Sequence, residues 1–297
     1  MNKYNLIAAP KIWLIVPTIT IVVSLIIIAV LRPVWGIDFV GGSLIEIEAP
    51  TEKAIEAQAV LEQEFGLPAT SQPTQDGTII LRTNTIDNEK KNAIVERLKE
   101  VGIMTGEERR YETIGPTIGQ ELRRKTAVAV GVVVVAMIAY LAYEFRRTKG
   151  LITPWQFGVA ATWALIHDLV LITALFVIFG HLWGAPIDTL FVTAQLAIMG
   201  YSVNDTIVVF ERLSRERTLN KKDSLLSIIN RSIGLTLTRS LNTGFTAVLT
   251  LVALLIFGGS TIRWFVVALL AGILTGTYSS IFVAAPALLW LTKKRSK

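Results

Sequence analysis

The chain has 297 residues, of which 52% are hydrophobic and only 18% are charged. Soluble domains usually carry about 25% charged residues, and here the apolar residues gather in long runs, which favours a membrane protein. With no Cys and two His, the sequence excludes disulfides, thiolate zinc sites, iron–sulfur clusters and Cys nucleophiles. We therefore expect no metal, no other cofactor and no enzymatic activity.

The net charge of +6 combines two populations of opposite sign. Residues 33–125 carry 11 Lys and Arg against 16 Asp and Glu, a net charge of −5, and the remaining residues carry a net charge of +11. A basic protein often binds nucleic acid, but here the basic residues flank apolar runs. We expect them to anchor the chain at the lipid surface, and we expect no nucleic-acid partner.

The apolar runs predict six membrane spans. The first, residues 12–31, contains no charge and is long enough to cross about 30 Å of hydrocarbon. A cleaved signal peptide is the alternative, but its apolar core is usually only about 7 to 15 residues long, and no Ala-x-Ala site follows the run, so we expect an uncleaved anchor. The other predicted spans are 126–143, 151–179, 186–210, 232–257 and 264–292.

The distribution of basic residues predicts the orientation of these spans. Six spans place both termini on the same side of the membrane. On that side, the termini and the loops 144–150 and 211–231 together hold fifteen Lys and Arg residues. The short loops on the opposite side, 180–185 and 258–263, hold one. The positive-inside rule then makes both termini cytoplasmic.

We expect the chain to divide into three parts, and we expect the loop 211–231 to form a helix at the membrane surface. These parts are residues 1–32 with the first span, an external domain at 33–122, and a bundle with a basic tail at 123–297.

The external domain is predicted as a small α+β unit. Apolar patterning and helix caps indicate strands at 43–48, 77–83 and 107–114, and helices at 51–65 and 87–101. This β-α-β-α-β order fits a sheet with helices on one face. The glycines within residues 36–42 do not match a nucleotide-binding pattern, and we expect them to form a tight turn where the first span enters the sheet.

Ionisable side chains fall inside predicted spans, where each costs at least about 2.5 to 3.5 kcal/mol. The four that stand out as candidates for function are His167, Asp168, Asp205 and Arg239; Asp188 lies at the very start of the fourth predicted span. A rise of 1.5 Å per residue puts Asp205 roughly 8 Å and Arg239 roughly 10 Å inside the cytoplasmic boundary. Because spans four and five run antiparallel, the two charges reach the same depth, and we expect them to form an ion pair.

Polar side chains accompany this pair, and we expect Asn204, Asn242, Thr243, His167 and Asp168 to support it. Such a network can line a hydrated path for a proton or ion relay. The alternative is a static ion pair that joins two helices. In the last span, Gly272, Gly276 and Ser280 recur every four residues, a pattern that allows a neighbouring helix to approach closely.

Five sequence runs together resemble the SecD/SecF family of the resistance-nodulation-division superfamily. The runs are GIDFVGGS at 36–43, IGPTIGQELR at 114–123, ALIHD at 164–168, YSVNDTIVVFER at 201–212 and LTRSLNT at 237–243. The resemblance implies a six-span subunit of the bacterial cytoplasmic membrane with a ferredoxin-like external domain. It also places the family's span-four Asp at Asp205 and its span-five Arg at Arg239.

The resemblance further implies a role in Sec-dependent protein export, driven by the proton gradient and not by ATP. The implied partners are a SecD-like chain, the SecYEG channel, YajC as a further candidate, and the unfolded preprotein on the external side. We expect the coupling ion to be a proton, with sodium as the alternative. Two other functions stay open at this point: a small-solute exporter of the same superfamily, and a scaffold subunit that transports nothing.

Overall fold

The computed structural model describes Ile7 and residues 12–74, 76–147 and 152–293. These residues divide into two compact units. The sheet unit comprises residues 33–129 and 179–189, and the helical unit comprises the described residues of 1–32, 130–178 and 190–297. Several positions from the sequence analysis lie outside the described residues, namely Lys3, Lys11, Lys149, Leu151, Lys294, Arg295 and Lys297.

Long helices dominate the described part of the chain, and within it five helical stretches have the length and apolar composition needed to cross a membrane. Four are single helices and the fifth, Ser260–Thr292, is a composite. The single helices are α1 (Ile12–Leu31), α5 (Pro116–Glu144), α6 (Pro154–Trp183) and α8 (Leu225–Phe257). The composite stretch contains α9 (Arg263–Ser279), a π-helical segment (Ser280–Ala284) and most of α10 (Ala285–Lys293).

The predicted fourth span lies in α7 (Thr189–Leu219), which is not among the five stretches that meet the criteria for length and composition. Its middle carries the polar side chains of Gln195, Ser202, Asn204 and Asp205. These side chains lower the mean hydropathy of the helix, although most of its neighbouring positions are apolar and buried.

The segment 211–231 does not form the separate surface helix that the sequence suggested. Instead, α7 continues to Leu219 and α8 begins at Leu225. Arg, Glu and Leu are good helix formers, so the charged residues after the predicted span extend α7. Ser224 then starts α8 as its N-cap, because its hydroxyl accepts a hydrogen bond from the Ser227 amide at 3.3 Å.

The helical unit has an apolar core whose largest fully buried side chains include Phe157 and Phe210. The predicted small-residue face of the last span does lie against a neighbouring helix. A Cβ atom added to Gly272 would lie 2.2 Å from the Ile198 side chain of α7, and one added to Gly276 would lie 3.2 Å from Cβ of Ser202. Only glycine therefore allows α9 to approach α7 this closely.

The sheet unit contains a four-stranded antiparallel sheet in the order β2-β3-β1-β4. Two helices and a 3₁₀ turn connect its strands, so that the chain order is β-α-β-β-α-β. The strands are β1 (Gly42–Glu48), β2 (Ala69–Pro73), β3 (Thr78–Thr83) and β4 (Glu108–Ile114). The short α2 (Ile37–Val40) precedes β1, and the connecting elements are Thr51–Lys53, α3 (Ala54–Gln63) and α4 (Asn88–Glu100).

The predicted order lacked β2, and the structure corrects it. This strand has the sequence ATSQP, with little of the β-branched and aromatic content that marks a strand. It lies at the edge of the sheet, where a proline is tolerated because the outer side of the strand needs no hydrogen-bond donor. An edge position thus accounts for a strand that apolar patterning does not reveal.

Both helices of the sheet unit pack on one core. Leu61 of α3 and Leu98 of α4 are fully buried together with Ile45, Ile47 and Leu81 from the central strands. The helix α4 begins as the sequence predicted, since the Asp87 carboxylate accepts a hydrogen bond from the Lys90 amide at 2.8 Å. Such an N-cap contributes about 1 kcal/mol.

Two consecutive glycines form the tight turn that leads into β1, as the sequence predicted. Gly41 has a φ of +78° and Gly42 a φ of +139°, values that side-chain-bearing residues rarely adopt. The space is also restricted. A Cβ atom on Gly42 would lie 2.7 Å from the carbonyl oxygen of Thr83, and one on Gly41 would lie 2.8 Å from Cα of Pro116.

Gly42→Ala should therefore destabilise the sheet unit by about 1 to 3 kcal/mol, because it combines a strained φ with a contact to backbone that cannot move away. The matched control is Gly115→Ala, since a Cβ atom there meets nothing within 4 Å. Thermal unfolding of the purified full chain in detergent, monitored together with proteolysis of residues 33–129, measures the difference. Equal unfolding temperatures for the two variants would contradict this explanation of the turn.

Candidate functional site: two buried carboxylates in the helical unit

Two aspartates are buried in the helical unit, Asp168 on α6 and Asp205 on α7. Their relative exposures are 0% and 8%. A buried carboxylate is tolerated only when hydrogen bonds replace the water that it has lost. The donors that surround each of these two groups therefore determine what the site can do.

Asp205 is held by two serines from different helices. The Ser240 hydroxyl of α8 donates a hydrogen bond to one carboxylate oxygen at 2.6 Å. The Ser280 hydroxyl, at the start of the π-helical segment, donates a short hydrogen bond to the other oxygen. Asp205 consequently connects α7 with both α8 and the last helical stretch.

Asp168 has a matching arrangement with a histidine added. The hydroxyls of Ser202 on α7 and Ser279 at the end of α9 each donate to one carboxylate oxygen of Asp168 at 2.6 Å. Nδ1 of His167 lies 3.0 Å from the other oxygen, and the His167 side chain is only 2% exposed. His167 and Asp168 therefore contact each other, and serine hydroxyls are the main donors to Asp168.

The two carboxylate sites share the same two helical stretches. Ser202 and Asp205 lie one turn apart on α7, and Ser279 and Ser280 are consecutive where α9 changes into the π-helical segment. Short π-helical segments are frequently found at functional sites. A change at one carboxylate that moves α7 or this segment would therefore reach the other carboxylate.

The predicted ion pair between Asp205 and Arg239 is not formed, which corrects the sequence analysis. Ser240 of α8 faces Asp205, and the preceding residue projects about 100° away around a helix. Arg239 is accordingly exposed. Its side chain lines a cleft together with Arg212 and Arg215. Matched depth predicted that the two residues lie near each other but could not predict which residue of α8 faces α7.

The other predicted supporting residues lie on the outside of the helical unit. Asn204, Asn242 and Thr243 are exposed, and the Thr243 hydroxyl donates to the Arg239 carbonyl of its own helix at 2.9 Å. Thr246 and Thr250, on the same helical face, are also exposed. This polar face of α8 therefore does not line an interior path within this chain.

Sequence reasoning did not identify Ser240 and Ser279 and treated Ser280 only as a packing residue. A search for hydroxyl side chains at the same membrane depth as a buried acidic residue of a neighbouring helix could have identified them. Among the residues that the structure describes, no group of three or more His, Asp or Glu side chains could hold a metal ion.

A further site lies in the sheet unit, where Asp38 caps the start of α7. Its carboxylate accepts a hydrogen bond from the Thr189 amide at 2.9 Å and another from the Thr189 hydroxyl. Nearby, the backbones of Trp35 and Ile187 form a parallel bridge. The GIDFVGG run therefore fixes the position where α7 begins as well as the turn into β1.

Comparisons with known proteins identify the family of this chain. A family model described as "Protein export membrane protein SecD/SecF, C-terminal" matches residues 94–294, and one described as "SecD/SecF GG Motif" matches residues 26–49. The protein translocase subunit SecF of Thermobaculum terrenum is 38% identical over 84% of this chain and 82% of its own length. The protein of the same name from Anaerolinea thermophila is 35% identical over 96% and 92%.

A solved structure is similar over nearly the whole chain. The crystal structure of SecDF, a translocon-associated membrane protein from Thermus thermophilus, matches with a TM-score of 0.86 at 29% identity. The match covers 98% of this chain but only 39% of the SecDF chain. The relatives are named as translocase subunits, which supports an accessory role in Sec protein export. The match of the C-terminal model over most of the chain, together with these relatives, shows that the chain belongs to the SecD/SecF family of protein export membrane proteins.

Proposed function

We propose that this chain is an accessory subunit of the Sec translocase that uses the proton motive force to assist the export of preproteins. The observation that carries the proposal is the pair of buried carboxylates, each held by serine hydroxyls from two other helices. Asp205 is the group that exchanges the proton. Asp168, with His167 beside it, is the second member of the same network.

Protonation changes what the Asp205 carboxyl group can bond. An ionised carboxylate accepts hydrogen bonds only, whereas a protonated one also donates. The two serine donors at Asp205 therefore fit the ionised form, and proton uptake requires at least one of them to turn away or reverse its role. Because one donor lies on α8 and the other in the π-helical segment, the charge state selects between two packings of these helices.

The available energy limits this mechanism. A proton that crosses the full membrane potential supplies about 2.3 kcal/mol per 100 mV, which is about 3.5 kcal/mol at an assumed potential of about 150 mV. Turning a 1:99 equilibrium into 99:1 needs about 5.5 kcal/mol. The two packings must therefore lie close in free energy, or more than one proton moves in each cycle. Two carboxylates in one network allow the second possibility.

The membrane arrangement that we propose has six spans, with α7 as the fourth, and both termini in the cytoplasm of a bacterial cell. Two observations support α7 as a span: buried apolar residues such as Val203 and Val209 lie on either side of Asp205 along the helix, and the SecDF structure matches nearly the whole chain. The external domain is ferredoxin-like in this proposal, because β-α-β-β-α-β is the chain order of that fold. With α7 included as a span, the positive-inside rule places this domain outside.

The proposed partners are a SecD-like chain and, through it, the SecYEG channel, YajC and the preprotein. A Brucella abortus protein named SecDF is 33% identical over 86% of this chain, which spans only 33% of its length. That protein and the Thermus SecDF are much longer than this chain, so we infer that a second, SecD-like part completes the assembly. The exposed polar face of α8 supports this inference, because polar side chains inside a span rarely face lipid.

Asp205→Asn should abolish gradient-dependent export, because the amide keeps the size of the carboxyl group but cannot take up the proton. Inverted membrane vesicles that carry the variant should show at least a tenfold lower gradient-stimulated export rate, with normal amounts of assembled protein. The control is Glu144→Gln, which removes the same charge from an exposed position at the end of α5 and should export normally. If the Asp205→Asn variant shows gradient-stimulated export at the control rate, Asp205 exchanges no proton and acts only as a static contact between helices.

The choice of proton over sodium has its own test. At a fixed membrane potential, export by vesicles with the unchanged chain should not depend on the sodium concentration, because the serine hydroxyls at Asp205 direct their hydrogens, and not lone pairs, at the carboxylate. A dose-dependent stimulation by sodium, with potassium as the control salt, would assign the relay to sodium.

The polar face of α8 should bind a SecD-like partner. Replacing Asn242, Thr243 and Thr246 together by Leu removes polar groups that a partner helix would satisfy, so co-purification of a tagged chain with the partner should fall several-fold. The matched control replaces the exposed Val128, Val132 and Val135 of α5 by Leu, which preserves an apolar surface. Co-purification that persists unchanged in the α8 variant would place the partner elsewhere.

A further inference from the structure

A positively charged cleft of about 230 Å³ lies between α7 and α8. Three arginines line it, and Glu211 is the only acidic residue among its lining residues. Its full lining is Val208, Glu211, Arg212, Arg215, Leu235, Thr236 and Arg239. Neither the ion pair predicted from the sequence nor the carboxylate network explains why these arginines come together.

The arginines of the cleft have hydrogen-bond capacity that this chain leaves unused. Arg212 donates through Nη2 to the Glu216 carboxylate, with the two atoms 2.8 Å apart. However, its Nε is buried without a hydrogen-bond partner among the described residues. Arg215 and Arg239 are both exposed, and neither guanidinium lies within ion-pair distance of an acidic side chain in the part of the chain that the structure describes. A buried donor without a partner is unfavourable, so a ligand that accepts a hydrogen bond from it binds more tightly.

Charge and geometry together identify the ligand class. Three guanidinium groups outnumber the two carboxylates beside them, Glu211 in the lining and Glu216 paired with Arg212. The remaining positive charge selects an anion. Guanidinium groups match phosphate oxygens in pairs, and a phosphate group offers enough oxygens to accept from three arginines at once, whereas a carboxylate has two. The cleft volume also admits a phosphate group together with part of what it is attached to.

The position in the chain suggests where the phosphate comes from. The cleft lies around Phe210 and Ser232, the residues at which the predicted fourth and fifth spans end on the cytoplasmic side. Basic pockets between helices at this level bind the head groups of anionic lipids. We propose that this cleft binds a phosphate group, with an anionic phospholipid head group or free phosphate as its source. The proposal concerns binding alone and does not depend on proton coupling.

The test measures binding by the purified full chain in neutral detergent, from the shift of the thermal unfolding temperature with ligand concentration. The probes are dihexanoyl phosphatidylglycerol, dihexanoyl phosphatidylcholine and inorganic phosphate, all at constant ionic strength. The test variant is Arg215→Gln with Arg239→Gln. The control is Lys221→Gln with Lys222→Gln, which removes the same charge from exposed positions in the neighbouring turn. Unfolding without ligand shows whether each variant is folded.

We expect saturable binding that weakens about tenfold or more in the arginine variant and is unchanged in the lysine control. Binding of phosphatidylglycerol without inorganic phosphate assigns the site to lipid, and the reverse result assigns it to free phosphate. Three results would overturn the proposal. They are no shift with either anionic probe, equal losses in the two variants, or equal binding of phosphatidylcholine and phosphatidylglycerol, since the last would mean that net anionic charge does not select the ligand.

Discussion

The helical unit depends on the hydrogen bonds that four serine hydroxyls donate to two buried carboxylates. Asp168 and Asp205 are surrounded by protein and not by water, so each needs donors in fixed positions. These donors come from α7, α8 and the junction between α9 and the π-helical segment. Gly272 contributes to this close packing of α9 on α7, because a Cβ atom there would lie 2.2 Å from the Ile198 side chain. The close packing of the helices and the stabilisation of the two buried carboxylates therefore depend on each other.

The same helix carries this constraint towards the sheet unit. α7 begins at Thr189, which Asp38 holds by its amide and its hydroxyl, and it continues to Asp205. Asp38 in turn belongs to the short run that ends in Gly41 and Gly42 and opens β1.

Much of this could be predicted from the sequence, because spans, strands with apolar cores and buried acids all have strong local signals. The glycine turn before β1 and the close packing at Gly272 and Gly276 were predicted for the right reasons. β2 was not, because an edge strand needs few apolar residues. The partners of Asp205 were also not predictable, because depth along a helix can be read from sequence spacing, whereas rotation about its axis depends on tertiary packing. That is why Ser240 and not Arg239 faces the carboxylate.

The most direct test of the central claim measures the protonation of Asp205 itself. Difference infrared spectra of the full chain in membranes, recorded between alkaline and acidic pH, report the carbonyl band of a newly protonated carboxyl group. The account predicts a band that disappears in Asp205→Asn and shifts in frequency in Ser280→Ala, since Ser280 bonds to this group. Spectra in which every carboxyl band survives in Asp205→Asn would show that Asp205 takes up no proton and would contradict the account.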